Sequence, residues 1–216
     1  RRIRKDAFEG LYSVYEQYRN TFASTLYGGV KSEIFYAKMR KYESALQGSL
    51  FNDDISVDVY ENLIKSVSEN IPALDKYIDL KKKFLGLDEI HMYDLYVPLT
   101  GDFDMKITYE EAKEIILEAL KPMGEEYLSH IKDAFENGWI DVYENEGKQG
   151  GAYSWGCYDS KSYILMNYHD DLNSLFTLIH ELGHSMHSTY SKSTQDYLYS
   201  SYKIFVAEVA STLNEL

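Results

Sequence analysis

The chain has 216 residues, a formal net charge of −13, 44% hydrophobic residues and 26% charged residues. This balance is typical of a chain that buries a sizeable core, and it excludes an extensively disordered protein. The acidic charge argues against a nucleic-acid or anionic-membrane partner, because no basic patch is dense enough to displace counterions from phosphates. No apolar stretch approaches the roughly twenty residues that a spanning helix needs, so we expect no membrane segment.

Cysteine content and the two chain ends bear on the compartment. The single cysteine, Cys157, rules out an intrachain disulfide and fits a reducing compartment, so we expect a cytoplasmic protein. Cys157 has no evident paired base and is predicted to be a small buried residue beside a strand. The chain begins at Arg1 rather than Met and stops at Leu216 within a helical pattern, so we expect a fragment.

Residues 1–90 are predicted to form a helical scaffold. A long helical pattern runs from Arg2 to about Gln47 and is expected to be interrupted only at Gly28-Gly29. Helices resume from Val57 to about Leu85, with a break near Ile71-Pro72. One stripe of the first pattern is aromatic and apolar and is predicted to be core: Phe8, Leu11, Tyr12, Tyr15, Tyr18 and Phe22.

Residues 91–168 are predicted to combine helices with a small sheet. Met92–Leu99 has the character of a short extended segment, and residues 102–106 are predicted to be a loop. Thr108 with Glu111 forms a capping box for a helix that Pro122 kinks or restarts. Asn137-Gly138 is expected to end this helical stretch, and three strands follow: Trp139–Tyr143, Gly151–Trp155 and Tyr163–Met166.

Residues 169–216 are predicted to form two helices. The run from Asp171 to Tyr190 is amphipathic, with apolar residues three and four apart. Its cap is expected to be Asp170, Asp171 or Asn173. A second helical run extends from about Lys203 to the end of the chain.

The sequence His-Glu-Leu-Gly-His over residues 180–184 lies within the first of these helices. Side chains four residues apart share a helix face, so His180 and His184 can bind one metal ion while Glu181 flanks its open position. Glu208, on the second helix, is the natural third ligand. The pattern predicts one Zn²⁺ per chain with Glu181 as general base, although such a site also binds cobalt or manganese to some degree.

Other polar residues near the motif are interpreted as lying outside the ligand set or as having an alternative role. His187 shares the helix face but lies about 10 Å along the axis from His180, so we interpret it as a residue outside the ligand set. Each histidine also needs a partner for its second ring nitrogen, and the candidates are Ser211, Thr212 and Glu215, of which Glu215 is favoured. Glu208 has an alternative as the ion-pair partner of Lys203 or another base.

Six segments of the chain carry a family likeness: His180–His187, Phe205–Glu215, Gly150–Trp155, Tyr163–Tyr168, Met92–Pro98 and Trp139–Asn145. Together they resemble oligoendopeptidase F within the thimet oligopeptidase family of zinc metallopeptidases. The resemblance implies a zincin-like catalytic core, mainly helical with a small sheet next to the metal-binding helix, within a larger helical channel. Residues 1–216 would then be a single partial peptidase domain, made of a scaffold (1–90), helices plus sheet (91–168) and zinc-binding helices (169–216).

The same resemblance implies a metallopeptidase that cleaves short peptides, with His180, His184 and Glu208 as ligands and Glu181 as base. The segment Gly151-Ala152-Tyr153 can pair with an extended peptide, because small residues permit close backbone approach; it can equally be a tight strand of the sheet. The family carries oxyanion-stabilising groups in a further C-terminal region. An inactive zinc- or peptide-binding fragment is therefore the alternative, and a helical scaffold with an accidental motif ranks last.

Overall fold

The computed structural model describes residues 1–100 and 105–216. The loop predicted over residues 102–106 lies for the most part outside the described residues. The chain forms two compact units, Arg1–Asp102 and Phe103–Leu216. Within the described ranges, no helix combines the length and apolarity needed to cross a membrane.

The first unit is helical throughout its regular structure. Its helices are α1 (Arg2–Gln17), α2 (Arg19–Met39), α3 (Ala45–Phe51) and α4 (Val57–Phe84), and a 3-10 turn follows at Met92–Asp94. Ser44 caps α3, since its side chain accepts a hydrogen bond from the backbone N–H of Gln47 at 3.0 Å.

Two predicted helix breaks in this unit were wrong. The first helical pattern breaks at Tyr18, and α2 continues through Gly28-Gly29. A helical glycine costs only about 1 kcal/mol relative to alanine, which a 21-residue helix tolerates. Likewise, α4 continues through Pro72. Proline removes one N–H donor, and the carbonyl of Ser68 that loses it lies on an exposed stretch where water can hydrogen-bond it.

The extended segment predicted at Met92–Leu99 was also wrong, because its first residues form the 3-10 turn. Asp94 is fully buried and holds this turn, since its carboxylate accepts a hydrogen bond from the His91 N–H at 3.2 Å. The same carboxylate pairs with Arg1 at 3.0 Å and Arg4 at 3.3 Å. Contacts between residues that are far apart in the sequence therefore decide the local conformation of this turn.

The aromatic stripe of α1 and α2 is not core. Leu11 is 57% exposed and Phe22 is 48% exposed, and the rings contact one another along the helix, as Phe8 and Tyr12 do with centroids 4.4 Å apart. Periodicity locates an apolar face but carries no information about whether another element covers it. The prediction failed at that step.

The second unit carries the remaining elements: α5 (Tyr109–Ala119), a 3-10 turn (Lys121–Met123), α6 (Glu125–Glu136), β1 (Ile140–Asp141), β2 (Tyr153–Trp155), β3 (Tyr163–Leu165), α7 (Leu172–Thr194) and α8 (Ile204–Glu215). The capping box of Thr108 and Glu111 is confirmed. Pro122 separates α5 from α6, and α6 ends at Asn137, followed by Gly138 at a φ of 71°. The predicted boundaries were right here because each is set by local chemistry.

The three predicted strands are confirmed, although each is shorter than predicted. They form one sheet in the order β1-β3-β2, with β1 parallel and β2 antiparallel to β3. Strand β2 is therefore at an edge of this sheet. Cys157, which follows β2, is exposed and not buried as predicted, because the chain leaves the sheet in a turn there.

The core of this unit lies between α5, α6, α7 and the sheet. Its fully buried members include Ala112, Ile116, Ile131, Leu178 and Leu182. The hydroxyl of Ser185 on α7 lies 2.8 Å from that of Ser154 on β2, so the sheet packs beside the central helix. The predicted fold class, mainly helical with a small sheet next to the helix that carries the His-Glu-Leu-Gly-His sequence, is confirmed.

Candidate metal centre

Helix α7 presents the His-Glu-x-x-His motif from a fixed position. Of the three candidates, Asp171 is its cap, and its carboxylate accepts a hydrogen bond from the Ser174 N–H at 2.7 Å. The apolar face of α7, with Leu178 and Leu182 fully buried, packs on the core. His180 and His184 are thereby turned toward α8.

Close packing brings α8 to the histidines. A Cβ atom on Gly183 would lie only 2.6 Å from the Cα of Ser211. The close approach of α7 and α8 therefore requires that residue 183 has no side chain. Asn214 reinforces this contact: its amide donates to the Ile179 carbonyl at 3.1 Å and accepts from the Tyr127 hydroxyl at 2.8 Å. These contacts fix the position of Glu208 relative to α7.

The three predicted ligands lie together. Glu208 Oε2 is 3.3 Å from His180 Nε2 and 3.4 Å from His184 Nε2. One ligand atom from each of the three residues lies within 4.8 Å of the others. The structure thus brings the side chains of two helices to one point.

This donor set fits a zinc ion. Metal–ligand distances of about 2.0–2.2 Å in a tetrahedral site place neighbouring ligand atoms about 3.4 Å apart. The two distances from Glu208 to the histidines agree with that separation. Two imidazoles and one carboxylate also leave one coordination position open, as catalytic zinc sites do.

The electrostatic state of the ligands favours metal binding. A hydrogen bond from the Ser211 hydroxyl, 2.8 Å away, lowers the pKa of the Glu208 carboxyl, with smaller contributions from His184 and His180. Burial lowers the pKa of His184, against opposing effects of Glu208 and the Ala207 carbonyl. Both ligands therefore tend to the deprotonated form that a cation needs.

Glu181 has a different environment from the ligands. It is buried, and its Oε2 atom has no hydrogen-bond partner among the described residues. Burial raises the pKa of the Glu181 carboxyl, and the charge of His180 lowers it to a smaller extent. A buried, unpartnered carboxylate oxygen beside a cation site is available to a reacting molecule.

The outer residues lie as follows. Glu215 Oε1 contacts Nδ1 of His180 in a short hydrogen bond, whereas Ser211 bonds Glu208 instead of a histidine. His187 stacks on the Tyr202 ring with centroids 3.7 Å apart, and its Nδ1 is buried without a partner among the described residues. His187 therefore contacts the segment that leads into α8.

The predicted peptide segment leads into the edge strand. Gly151 has a φ of 94°, which favours glycine, and it precedes β2. Ala152 packs against the core, and Tyr153 begins the strand with 51% of its surface exposed. One side of β2 pairs with β3, and no strand of the described residues pairs with its other side.

Several residues that position the site were not predicted. Ser185 is fully buried and contacts both the Ser154 hydroxyl on β2 and, at 3.0 Å, the carbonyl of Ser162, the residue before β3. Gly183 and Asn214 hold the two helices together, as described above. The sequence signals were present but weak: a glycine in mid-helix and polar residues on an otherwise apolar face.

The whole chain matches a known protein family. Residues 1–216 match the family described as Peptidase family M3. The chain is 55% identical to Oligopeptidase PepF of Bacillus subtilis (strain 168) and covers 32% of that protein. It is 47% identical to Group B oligopeptidase PepB of Streptococcus agalactiae serotype III (strain NEM316) and covers 36% of it. Both matches include all of this chain, which therefore spans about a third of the length of these relatives.

Solved structures agree with this result. The crystal structure of oligoendopeptidase-F from Enterococcus faecium is 40% identical in sequence, with a TM-score of 0.65. That match covers 100% of this chain and 30% of the solved one. With a family match over its full length and relatives of this identity, the chain belongs to peptidase family M3.

Proposed function

We propose that the chain carries the catalytic centre of a zinc-dependent endopeptidase that hydrolyses short peptides. One observation carries the proposal: His180, His184 and Glu208 converge at zinc-ligand spacing, while the same helix carries Glu181, whose Oε2 has no hydrogen-bond partner among the described residues. The names of the relatives, oligopeptidase and oligoendopeptidase, support peptides as substrates. We also propose a cytoplasmic location, which the absence of an intrachain disulfide supports.

Two of the three proposed ligands are held by a second contact. Glu215 accepts the Nδ1 proton of His180, which would leave the Nε2 lone pair of that ring free to hold the ion. Ser211 orients Glu208 by donating to its carboxylate. His187 is proposed to act further out, by holding Tyr202 beside the C-terminal half of α7.

Glu181 is proposed as the general base. When bound, zinc polarises the peptide carbonyl and makes a water molecule more acidic. The Glu181 carboxylate takes a proton from the attacking water and passes it to the leaving amine. Its burial favours the protonated intermediate state, since desolvation disfavours the charged carboxylate.

The peptide is proposed to bind as an added strand on the open side of β2. Gly151, Ala152 and Tyr153 form the approach to this strand, and the small side chains of the first two permit close backbone contact. Ser154 links β2 to α7, so a strand bound there would lie beside the metal-binding helix.

An inactive zinc- or peptide-binding fragment is the second candidate. The observation that favours it is that the chain spans about a third of its relatives. In this reading residues 1–216 form one partial peptidase domain that binds zinc without turnover. Chelator-sensitive cleavage of a short peptide would exclude this second candidate.

The deciding experiment is the zinc content of the dialysed chain, measured together with cleavage of a short peptide. We expect about one zinc per chain, retained in Glu181→Gln with loss of cleavage, and lost in Glu208→Ala. Glu136→Gln, an exposed glutamate at the end of α6, is the matched control and should keep both properties. Full cleavage by Glu181→Gln would refute the base assignment, and absence of zinc from the parent chain would refute the metal centre.

A further inference from the structure

A cavity of about 780 Å³ opens between β2, the C-terminal half of α7 and the segment that leads into α8. Its wall combines aromatic rings with one cationic side chain: Trp155, Tyr158, Tyr197, Tyr202 and Lys192. Ser154, which contacts Ser185 on α7, and Ala207, which precedes Glu208 in the chain, are also among its lining residues. The cavity is therefore continuous with the site where a peptide is proposed to bind.

Lys192 is the cation of this cavity. Its ammonium donates to the Ser162 hydroxyl at 3.2 Å, and among the described residues no carboxylate lies within ion-pair distance of it. Asp133, which lines the adjoining cavity that Lys192 also borders, pairs with Lys161 at 3.7 Å. Lys192 is thus a partly buried cation without a counter-ion in the described part of the chain.

Burial affects this charge directly. Desolvation lowers the pKa of the Lys192 ammonium, and the nearby Cys157 thiol opposes this only in part. A carboxylate placed beside the ammonium would replace the lost hydration and restore the charged form. The environment therefore favours an anionic ligand.

Helix geometry gives the distance from the metal centre. Lys192 follows His184 by eight residues along α7, and Ser188, midway between them, also lines the cavity. Eight residues advance about 12 Å along a helix. An extended peptide advances about 3.3 Å per residue, so the Lys192 ammonium lies three to four residues from the proposed point of cleavage.

We propose that this cavity is a carboxylate subsite, in which Lys192 binds a carboxylate of the peptide three to four residues from the cleaved bond. The carboxylate belongs either to the C-terminus of the peptide or to an Asp or Glu side chain. The aromatic walls pack against the intervening residues and exclude water from the ion pair, which strengthens it. The position of the bond rests on the proposed function, whereas the charge preference does not.

The test measures peptide binding on the zinc-supplied chain that carries Glu181→Gln, by tryptophan fluorescence, with mass spectrometry to verify an intact peptide. Three hexapeptides are compared: one with a glutamate and a free C-terminus, one with a C-terminal amide, and one with glutamine for glutamate. Trp155 is 70% exposed and lines the cavity, so its emission reports occupancy. Loss of the responsible carboxylate should weaken binding roughly tenfold, as expected for a charge-assisted hydrogen bond.

Substitutions at Lys192 complete the test. Lys192→Met should bind all three peptides alike, Lys192→Arg should retain the preference, and Lys132→Met, at an exposed lysine of α6, should match the parent. The preference should also shrink as salt is raised. Weakening by the amide identifies the C-terminus as the source, and weakening by glutamine identifies the side chain.

Three results would overturn the subsite: an unchanged preference in Lys192→Met with a native circular dichroism spectrum, equal binding of all peptides by the parent, or no binding at all. A different result would show that the proposed function is wrong. A carboxylate preference that depends on Lys192, in a chain that never cleaves peptides, would refute the enzyme and leave the subsite. Peptide cleavage that is unaffected by Lys192→Met would refute the subsite and leave the enzyme.

Discussion

The two units are stabilised differently. In the described residues of Phe103–Leu216, 18 buried hydrophobic residues form one cluster that includes the apolar face of α7. In those of Arg1–Asp102, Ala37 is the single buried hydrophobic residue, and the fully buried Asp94 joins the turn after α4 to the start of α1. Similar helical sequence patterns can therefore be stabilised either by burial in a shared core or mainly by the helix preferences of the residues themselves. All residues proposed for catalysis belong to the unit with the core.

The largest expected contrast comes from truncating one leucine in each unit. Leu178 on α7 is fully buried, so Leu178→Ala should lower the free energy of unfolding by about 2–5 kcal/mol. Leu26 on α2 is 71% exposed, so Leu26→Ala should change it by less than about 0.5 kcal/mol. Urea unfolding followed by circular dichroism measures both, and equal losses would break the contrast.

Two glycine substitutions, one in each unit, test the same difference with a smaller expected effect. Gly183→Ala should cost about 1–3 kcal/mol, because its Cβ meets the α8 backbone, and it should reduce zinc retention by displacing Glu208. Gly10→Ala on α1 meets nothing within 4 Å and should stabilise its helix by about 0.5–1 kcal/mol. Thermal unfolding and metal analysis of both variants test this, and a fully zinc-loaded Gly183→Ala chain would contradict it.

Removal of the α7 cap should have a smaller effect. Asp171→Ala should cost about 1 kcal/mol of stability at neutral pH. The Ser174 backbone N–H lowers the pKa of the Asp171 carboxyl below its ordinary value of 3.8. The folded state therefore gains stability above that ordinary pKa and loses it as the pH falls through the depressed one. Urea titrations should show the difference between parent and variant at pH 7 and its loss once the pH falls below the depressed pKa of Asp171, and a constant difference would contradict this assignment.

The smallest effect is expected in the first unit. Hydrogen bonds from Arg1, His91 and Arg4 lower the pKa of the Asp94 carboxyl despite the opposing effect of burial. Its contribution is thus present above the ordinary pKa and is lost as the pH falls through the lowered one. Asp94→Asn should reproduce the acid state at pH 7, seen as faster amide exchange in the first turns of α1.

Asp6→Asn is the control for that change, because Asp6 forms only an exposed pair with Arg2 at 3.9 Å. Its exchange rates should equal those of the parent. Protection of α1 that is insensitive to Asp94→Asn would show that the ion pairs do not anchor this helix.

Features decided by local chemistry were predictable from the sequence. The Thr108–Glu111 box, the Asp171 cap and the end of α6 at Asn137 depend on residues within one turn. The spacing of His180 and His184 follows from the helix period alone. The convergence of Glu208 with them was a prediction from two amphipathic patterns and the family resemblance together.

Features decided by distant contacts were not predictable. The helical turn at residues 92–94 depends on Arg1 and Arg4, about ninety residues away. The exposure of the α1 stripe depends on which elements cover it, and the role of Gly183 depends on Ser211 across the helix interface. One sequence taken alone gives the residues but does not show which of them are in contact.

The contact at Gly183 has a consequence for redesign. Because the two helices touch directly, the spacing of the three ligands does not depend on the connection at residues 195–203, which acts as a tether. Doubling the length of such a tether costs only about 0.6 kcal/mol of closure entropy. Tyr197 and Tyr202, both on the tether, also wall the cavity around Lys192. Exchanging this tether would therefore alter the peptide preference proposed for the cavity, while leaving the spacing of His180, His184 and Glu208 unchanged.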